Sequence, residues 1–157
     1  MAVGMSVDLE RGLRIFTFSG SVTPGDLDFV AKLYHDHENY RFTDREIVYF
    51  APDVSLALIE AEDLGALADR FFEALRTRED VLPDETIWVM PDHVRSEARL
   101  WREFTHDPEN TSKERRYVET LEAAIAAYRM PDAWLDDIRQ GKGFRHFGVV
   151  GTFAPAS

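Results

Sequence analysis

The sequence predicts an α/β domain. It reads as a mixed, largely parallel sheet of about five strands with an N-terminal antiparallel hairpin and crossover helices, in the order ββαβαβαβαα. Three observations carry this. Two segments repeat one phrase: Ile47-Val48-Tyr49-Phe50 runs into Ala51-Pro52-Asp53, and Ile87-Trp88-Val89-Met90 runs into Pro91-Asp92. Each is a short apolar run rich in β-branched and aromatic residues, as expected of a strand buried on both faces, and each is stopped by Pro-Asp. Both phrases are followed by stretches with the apolar rhythm of an amphipathic helix. Near the start, two further apolar runs lie only a Glu10-Arg11-Gly12 turn apart, which is hairpin spacing.

The elements follow in order. Met5, Val7 and Leu9 alternate with polar neighbours as a half-buried strand, and Leu13 to Phe18 is the second strand. Thr23-Pro24-Gly25-Asp26 opens a helix: Thr23 caps through its hydroxyl, Pro24 suits the first helical position, and Asp26 meets the positive first turn. Leu27, Val30, Ala31 and Tyr34 form its apolar face, and the helix fades over His35 to Asn39. Ile47 to Phe50 is the third strand. The longest helix lies within Ile59 to Arg78, with Leu64, Leu67, Ala68, Phe71, Phe72 and Leu75 inward. Val81-Leu82-Pro83-Asp84 leads into a fourth strand, Thr86 to Met90. A helix over about His93 to His106 buries Val94, Ala98, Trp101 and Phe104. Arg115 to Val118 is a fifth strand, Thr120 to Tyr128 a helix, and Pro131 starts a last helix carrying Trp134, Leu135 and Ile138.

Residues 1–139 thus read as a single α/β domain and 140–157 as a glycine-rich apolar extension. In that tail Gly141, Gly143, Gly148 and Gly151 interrupt Phe144, Phe147, Val149, Val150 and Phe153. It is expected to dock on its own domain or to reach across a homodimer interface.

Composition narrows the function. At 157 residues the chain suits one domain with a sizeable core. It contains no Cys, which excludes disulfides, thiolate metal sites and a cysteine nucleophile, and fits a reducing compartment. Eighteen basic residues against 29 acidic ones give a net charge of −11, which disfavours nucleic-acid binding. Met1 to Asp8 does not read as a signal peptide, and no apolar run is long enough for a membrane helix. The expectation is a cytoplasmic protein without membrane insertion.

The motifs that could carry chemistry are incomplete. His37-Glu38 begins like a zincin helix, but the position of the second His holds Arg41, and His35 and His37 would face different sides of a helix. No metal site is expected. There is no phosphate-binding loop, no Gly-x-Gly-x-x-Gly and no Gly-x-Ser-x-Gly elbow. Asp53, Ser55 and His93 could converge at the ends of adjacent strands, but such a trio arises often by chance. Glu60, Glu62 and Asp63 suit the positive start of the long helix. Arg95, Arg99 and Arg102 share a helix face, and Lys113, Arg115 and Arg116 follow. This is either a solvated face with pairs such as Arg99–Glu103 or a docking patch for an acidic partner or anionic ligand. Trp88, Trp101 and Trp134 fall at core positions. No catalytic residue and no cofactor are assigned.

One resemblance adds to this reading. Phe18-Ser19-Gly20-Ser21-Val22-Thr23, a helix ending near His35 to Tyr40 and the strand Ile47 to Phe50 resemble small bacterial STAS-like proteins with a SpoIIAA-like fold. So do Trp88-Val89-Met90-Pro91-Asp92, Tyr117-Val118-Glu119-Thr120-Leu121-Glu122-Ala123-Ala124 and Trp134-Leu135. The resemblance covers roughly residues 5–136. It implies a regulatory module whose antagonist members carry a phosphorylatable hydroxyl after a central strand, where the added charge breaks a partner interface. The matching stretch here looks like Ile59-Glu60-Ala61-Glu62-Asp63-Leu64, with Ala61 where the hydroxyl would stand.

Two principal readings follow. The first is a non-enzymatic STAS-like regulatory or protein-interaction module without a phospho-switch, homodimeric and cytoplasmic, engaging a regulatory protein partner. The alternative is a domain binding a small, apolar or anionic molecule at the carboxyl ends of the central strands, where Asp53, Ser55, Asp92 and His93 stand. Arg95, Arg99 and Arg102 are the candidate partner contacts. An enzyme is the third option.

Overall fold

The computed structural model describes residues 2–36, 45–66, 69, 85–95 and 114–148. In chain order they form β1 (Val3–Asp8), β2 (Leu13–Phe18), α1 (Pro24–Asp36), β3 (Arg45–Phe50), α2 (described over 61–66) and β4 (Glu85–Val89). A short 3-10 turn (Asp92–Val94), β5 (Glu114–Val118), α3 (Leu121–Ala127), α4 (Ala133–Gln140) and β6 (Arg145–Gly148) complete them. All the strands share one six-stranded sheet in the order β5-β4-β3-β2-β1-β6. β2, β3, β4 and β5 pair in parallel, and β1 is antiparallel to both its neighbours. The chain is therefore α/β with a mixed sheet, as the sequence predicts.

The strand count differs from the expected five. The sixth strand is Arg145–Gly148, which pairs with β1 in the register Gly4↔Gly148 to Val7↔Arg145. The N-terminal hairpin forms as expected, but its turn starts earlier. Leu9, read as an inward strand residue, stands in the turn and is 51% exposed. The Asp8 carboxylate accepts the Glu10 and Arg11 amides at 2.9 and 3.2 Å, and Gly12 takes a left-handed φ of 61° that closes the turn.

α1 begins as the sequence indicates. Thr23 Oγ1 accepts the Asp26 amide at 3.3 Å while Asp26 Oδ2 accepts the Thr23 amide at 2.8 Å, a reciprocal capping box. Asp26 Oδ1 also accepts the Ala2 amide, tying the start of β1 to the helix. Burial opposes ionisation of this carboxyl, but the hydrogen bonds from Ala2 and Thr23 outweigh it and hold Asp26 below the usual carboxylate range.

The alternating side chains of the sheet are buried on both faces, which is why the strand phrases read as continuous apolar runs. On one face Val3, Met5, Phe16, Phe18, Val48, Phe50, Trp88 and Met90 pack under Leu27, Val30 and Leu33 of α1 and Leu64 of α2. An aromatic row crosses this face. Phe18 stacks on Phe50 at 5.0 Å between centroids, Phe50 meets Trp88 at 5.8 Å, and Trp88 meets Tyr117 at 6.1 Å. On the other face Leu13, Ile15, Ile47, Tyr49, Ile87 and Val89 pack under Leu121, Ala124 and Ile125 of α3 and Ile138 of α4. Each such burial contributes about 1.5–3 kcal/mol.

Two polar constructions interrupt this core. Arg14 of β2 lies beside Glu46 of β3 in register, its Nε donates to Glu46 Oε2 at 2.8 Å, and its guanidinium sits over the Phe16 ring. Arg11, in the hairpin turn, pairs with Asp8 at 2.8 Å and Asp137 at 2.5 Å and lies over the rings of Trp134 and Phe144. That clamp fixes the hairpin to α4 and to the approach to β6.

Of the predicted core tryptophans, Trp88 is buried and Trp134 half-buried against the α4 side. Trp101 lies outside the described residues, as do His37, the far half of the long helix, most of the predicted helix over 93–106, and residues 149–157.

Candidate functional site

The repeated strand-Pro-Asp phrase shapes one end of the sheet. After β3 the backbone turns over Pro52 and Asp53, closed by the Val54 amide donating to the Ala51 carbonyl at 3.0 Å. After β4 it enters the 3-10 turn over Asp92 and His93, closed by the Val94 amide donating to Pro91 at 3.1 Å. Proline suits both places because its fixed φ favours a turn and its missing N–H ends the ladder. The two turns are then stapled together: His93 Nε2 donates to the Val54 carbonyl at 3.1 Å. Because the acceptor is a carbonyl, that nitrogen carries the proton.

The sequence-derived candidates occupy this edge unevenly. Asp53 and Asp92 are exposed on the turns. Ser55 forms a parallel bridge with Ser21, donating its amide to Gly20 at 2.8 Å and accepting the Val22 amide at 3.0 Å, and its hydroxyl accepts the Ala57 amide. His93 is engaged by Val54 rather than by Ser55, so Asp53, Ser55 and His93 are not joined as a relay. Arg95 pairs with Glu119 at 3.0 Å and Asp92 at 3.6 Å. Arg99 and Arg102 lie outside the described residues. At the head of α2, Asp63 Oδ2 accepts the Glu60 amide at 2.9 Å, so part of the acidic cluster caps the helix. Among the described residues no three His, Cys, Asp or Glu side chains gather as a metal site.

A cavity of about 220 Å³ opens at this same end, on the face covered by α3 and α4. Tyr49, Phe50 and Pro52 line it from the first phrase, Val89 and Pro91 from the second, and Glu119, Thr120, Leu121, Glu122 and Arg139 from the far side. The two prolines that mark the phrase are thus both walls, while the two aspartates that follow them are outside. Ligands of open α/β sheets bind beyond the carboxyl ends of the strands, and this cavity occupies that position.

Its polar groups are arranged by the last two helices. Thr120 caps α3, accepting the Ala123 amide at 3.1 Å. Glu122, in the first turn of α3, pairs with Arg139, in the last turn of α4. Arg139 Nε is sealed from solvent and has no hydrogen-bond partner among the described residues. Tyr49 is buried in the strand with its ring in the core. Burial first, then the charges of Glu122 and Asp53, push its hydroxyl above the usual tyrosine value, with Arg139 opposing. It therefore stays a neutral hydroxyl at physiological pH.

Sequence reasoning missed Tyr49, Glu122 and Arg139 as a group. Tyr49 read only as a strand residue. Glu122 and Arg139 are 17 positions apart on separate helices. The one local signal was the placement of a tyrosine just before the turn of a strand otherwise aliphatic on that face. No family model matches the chain, and no curated protein and no solved structure is detectably similar to it.

Proposed function

We propose that this chain is a non-catalytic domain that binds a small molecule at the carboxyl ends of β3 and β4. The observation that carries the reading is the cavity between the two Pro-Asp turns and the Glu122–Arg139 pair, with apolar walls and a few polar groups meeting on it. At about 220 Å³ it is smaller than the 300–1,000 Å³ of drug-sized sites, so the ligand is compact. Fragment titration followed by amide NMR tests this. Shifts confined to Val89, Thr120 and Leu121, lost in a Leu121→Trp variant that fills the space, support it. Hits that scatter over the surface and survive Leu121→Trp refute it.

The second reading is the STAS-like regulatory module with a SpoIIAA-like fold, a cytoplasmic homodimer engaging a protein partner. The antiparallel hairpin leading into the parallel run β2-β3-β4-β5 favours it. So does Leu58, a large exposed apolar residue on the approach to Ala61, where the resemblance places a partner contact. Light scattering on the native chain and on Leu58→Glu separates the readings. A dimer lost in the variant supports the module, and a monomer in both weighs against homodimerisation.

A further inference from the structure

We infer that the cavity takes a small organic cation, a protonated amine carried on an apolar body. This deepens the ligand-binding reading and rests on it. The argument comes from what the lining still offers a ligand.

Arg139, the cation of the lining, is committed to Glu122 through Nη2, and its Nε is closed off from solvent. With Nη2 held by Glu122 and Nε enclosed, it offers a carboxylate or phosphate only part of its two-pronged fork. Arg95, which the sequence offered as an anion-docking residue, is flanked by Asp92 and Glu119. The carboxylates are the accessible groups. The side chains of Glu119 and Glu122 are 62% and 52% exposed beside the opening, and Asp53 acts electrostatically on the same Tyr49 hydroxyl. Among the described residues around this edge Asp53, Asp92, Glu119 and Glu122 stand against Arg95 and Arg139, an excess of negative charge in a chain whose net charge is −11. Such a field gathers cations and repels anions.

The remaining walls suit an apolar body. Phe50, Pro52, Val89, Pro91 and Leu121 carry no charge, and Tyr49 contributes a neutral hydroxyl that can accept from an ammonium. An anion would meet an arginine already paired with Glu122, and beside it the exposed carboxylates of Glu119 and Glu122. A neutral alcohol would fill the space without using the charge.

Benzylamine, benzyl alcohol and benzoate test this, because they share one body and differ in charge. Each is titrated into the full chain at neutral pH and read from amide shifts at Val89, Thr120 and Leu121. Benzylamine is expected to bind about fivefold tighter than benzyl alcohol, with benzoate weakest, the scale of a partly exposed ion pair. Glu122→Gln should remove most of that preference for the amine over the alcohol. Asp53→Asn, which leaves the Arg139 pair intact, should reduce it by a smaller factor. If the alcohol equals the amine, or benzoate binds best, the cation inference is overturned while the cavity remains a ligand site. If none of the three shifts these amides up to about 10 mM, the ligand-binding reading itself falls, and the inference with it.

Discussion

Glu46→Ala should destabilise the domain severely. Arg14 is 1% exposed and faces the α1 side of the sheet from a central strand. Its carboxylate partner, Glu46, lies beside it in register on β3, with a side chain 12% exposed. Removing that carboxylate takes from the buried guanidinium the Glu46 acceptor it holds beside the Phe16 ring. Breaking a buried pair in this way costs about 3–5 kcal/mol, against a total stability of about 5–15 kcal/mol for a domain. At about 2–4 °C per kcal/mol for this chain length, Tm should fall by about 6–20 °C. Urea unfolding followed by circular dichroism and tryptophan fluorescence gives the free energy directly, with an unchanged m-value expected. The double variant Arg14→Met with Glu46→Leu removes both charges and should return to within about 1 kcal/mol of the native chain. A loss below about 1 kcal/mol in Glu46→Ala would mean that the pair behaves as a surface pair. A double variant as unstable as the single one would also refute the reasoning.

Three further outcomes are expected. Gly148 has a φ of 76°, and a Cβ there would stand 2.6 Å from the Val3 carbonyl oxygen and 2.8 Å from the Phe29 ring. Gly148→Ala should therefore cost about 1–3 kcal/mol and lower hydrogen-exchange protection in β6 and β1 before the rest of the sheet. The Tyr128 hydroxyl donates to the Glu46 carbonyl at 2.9 Å and accepts the Glu46 amide at 3.2 Å. Tyr128→Phe should cost about 1–3 kcal/mol in thermal unfolding, since it removes both of these hydrogen bonds at once. Asp26 is held below its usual range in the fold, so its contribution is present above the unfolded carboxyl value and is lost as pH falls through the folded one. Native stability should drop below about pH 4, and Asp26→Asn should flatten that acid limb. An unchanged limb in the variant would assign the acid sensitivity elsewhere.

The central strands were legible because their signal is local. A strand buried on both faces must be apolar at every position, and Ile47 to Phe50 and Ile87 to Met90 are. The cap of α1 was legible for the same reason, since Thr23, Pro24 and Asp26 act within one turn. β6 was not. Arg145-His146-Phe147-Gly148 is too short and too polar to read as a strand, and its pairing partner lies at the opposite end of the sequence. The buried state of Arg14 was hidden too, because nothing inside Leu-Arg-Ile-Phe-Thr-Phe shows which neighbour supplies a counter-charge. At the candidate site the phrase located the right edge of the sheet, and Pro52 and Pro91 do line the cavity. The sequence could not show that Asp53 and Asp92 point past it, nor that α3 and α4 bring Glu122 and Arg139 to its far wall. Those are consequences of packing two helices on one face.

The pairing of β1 with β6 has a consequence for biosynthesis. β1 leaves the ribosome just ahead of β2, which covers one of its edges almost at once. The other edge, with Gly4 and Ser6 at its middle, is covered only when residue 148 has been made. At a translation rate of about 5–20 residues per second, the 140 residues between Asp8 and Gly148 take roughly 7–28 s. Throughout that interval an unpaired strand edge stands open to other nascent chains. On polysomes, neighbouring copies of this protein would compete with its own β6 for that edge, and slower elongation lengthens the competition.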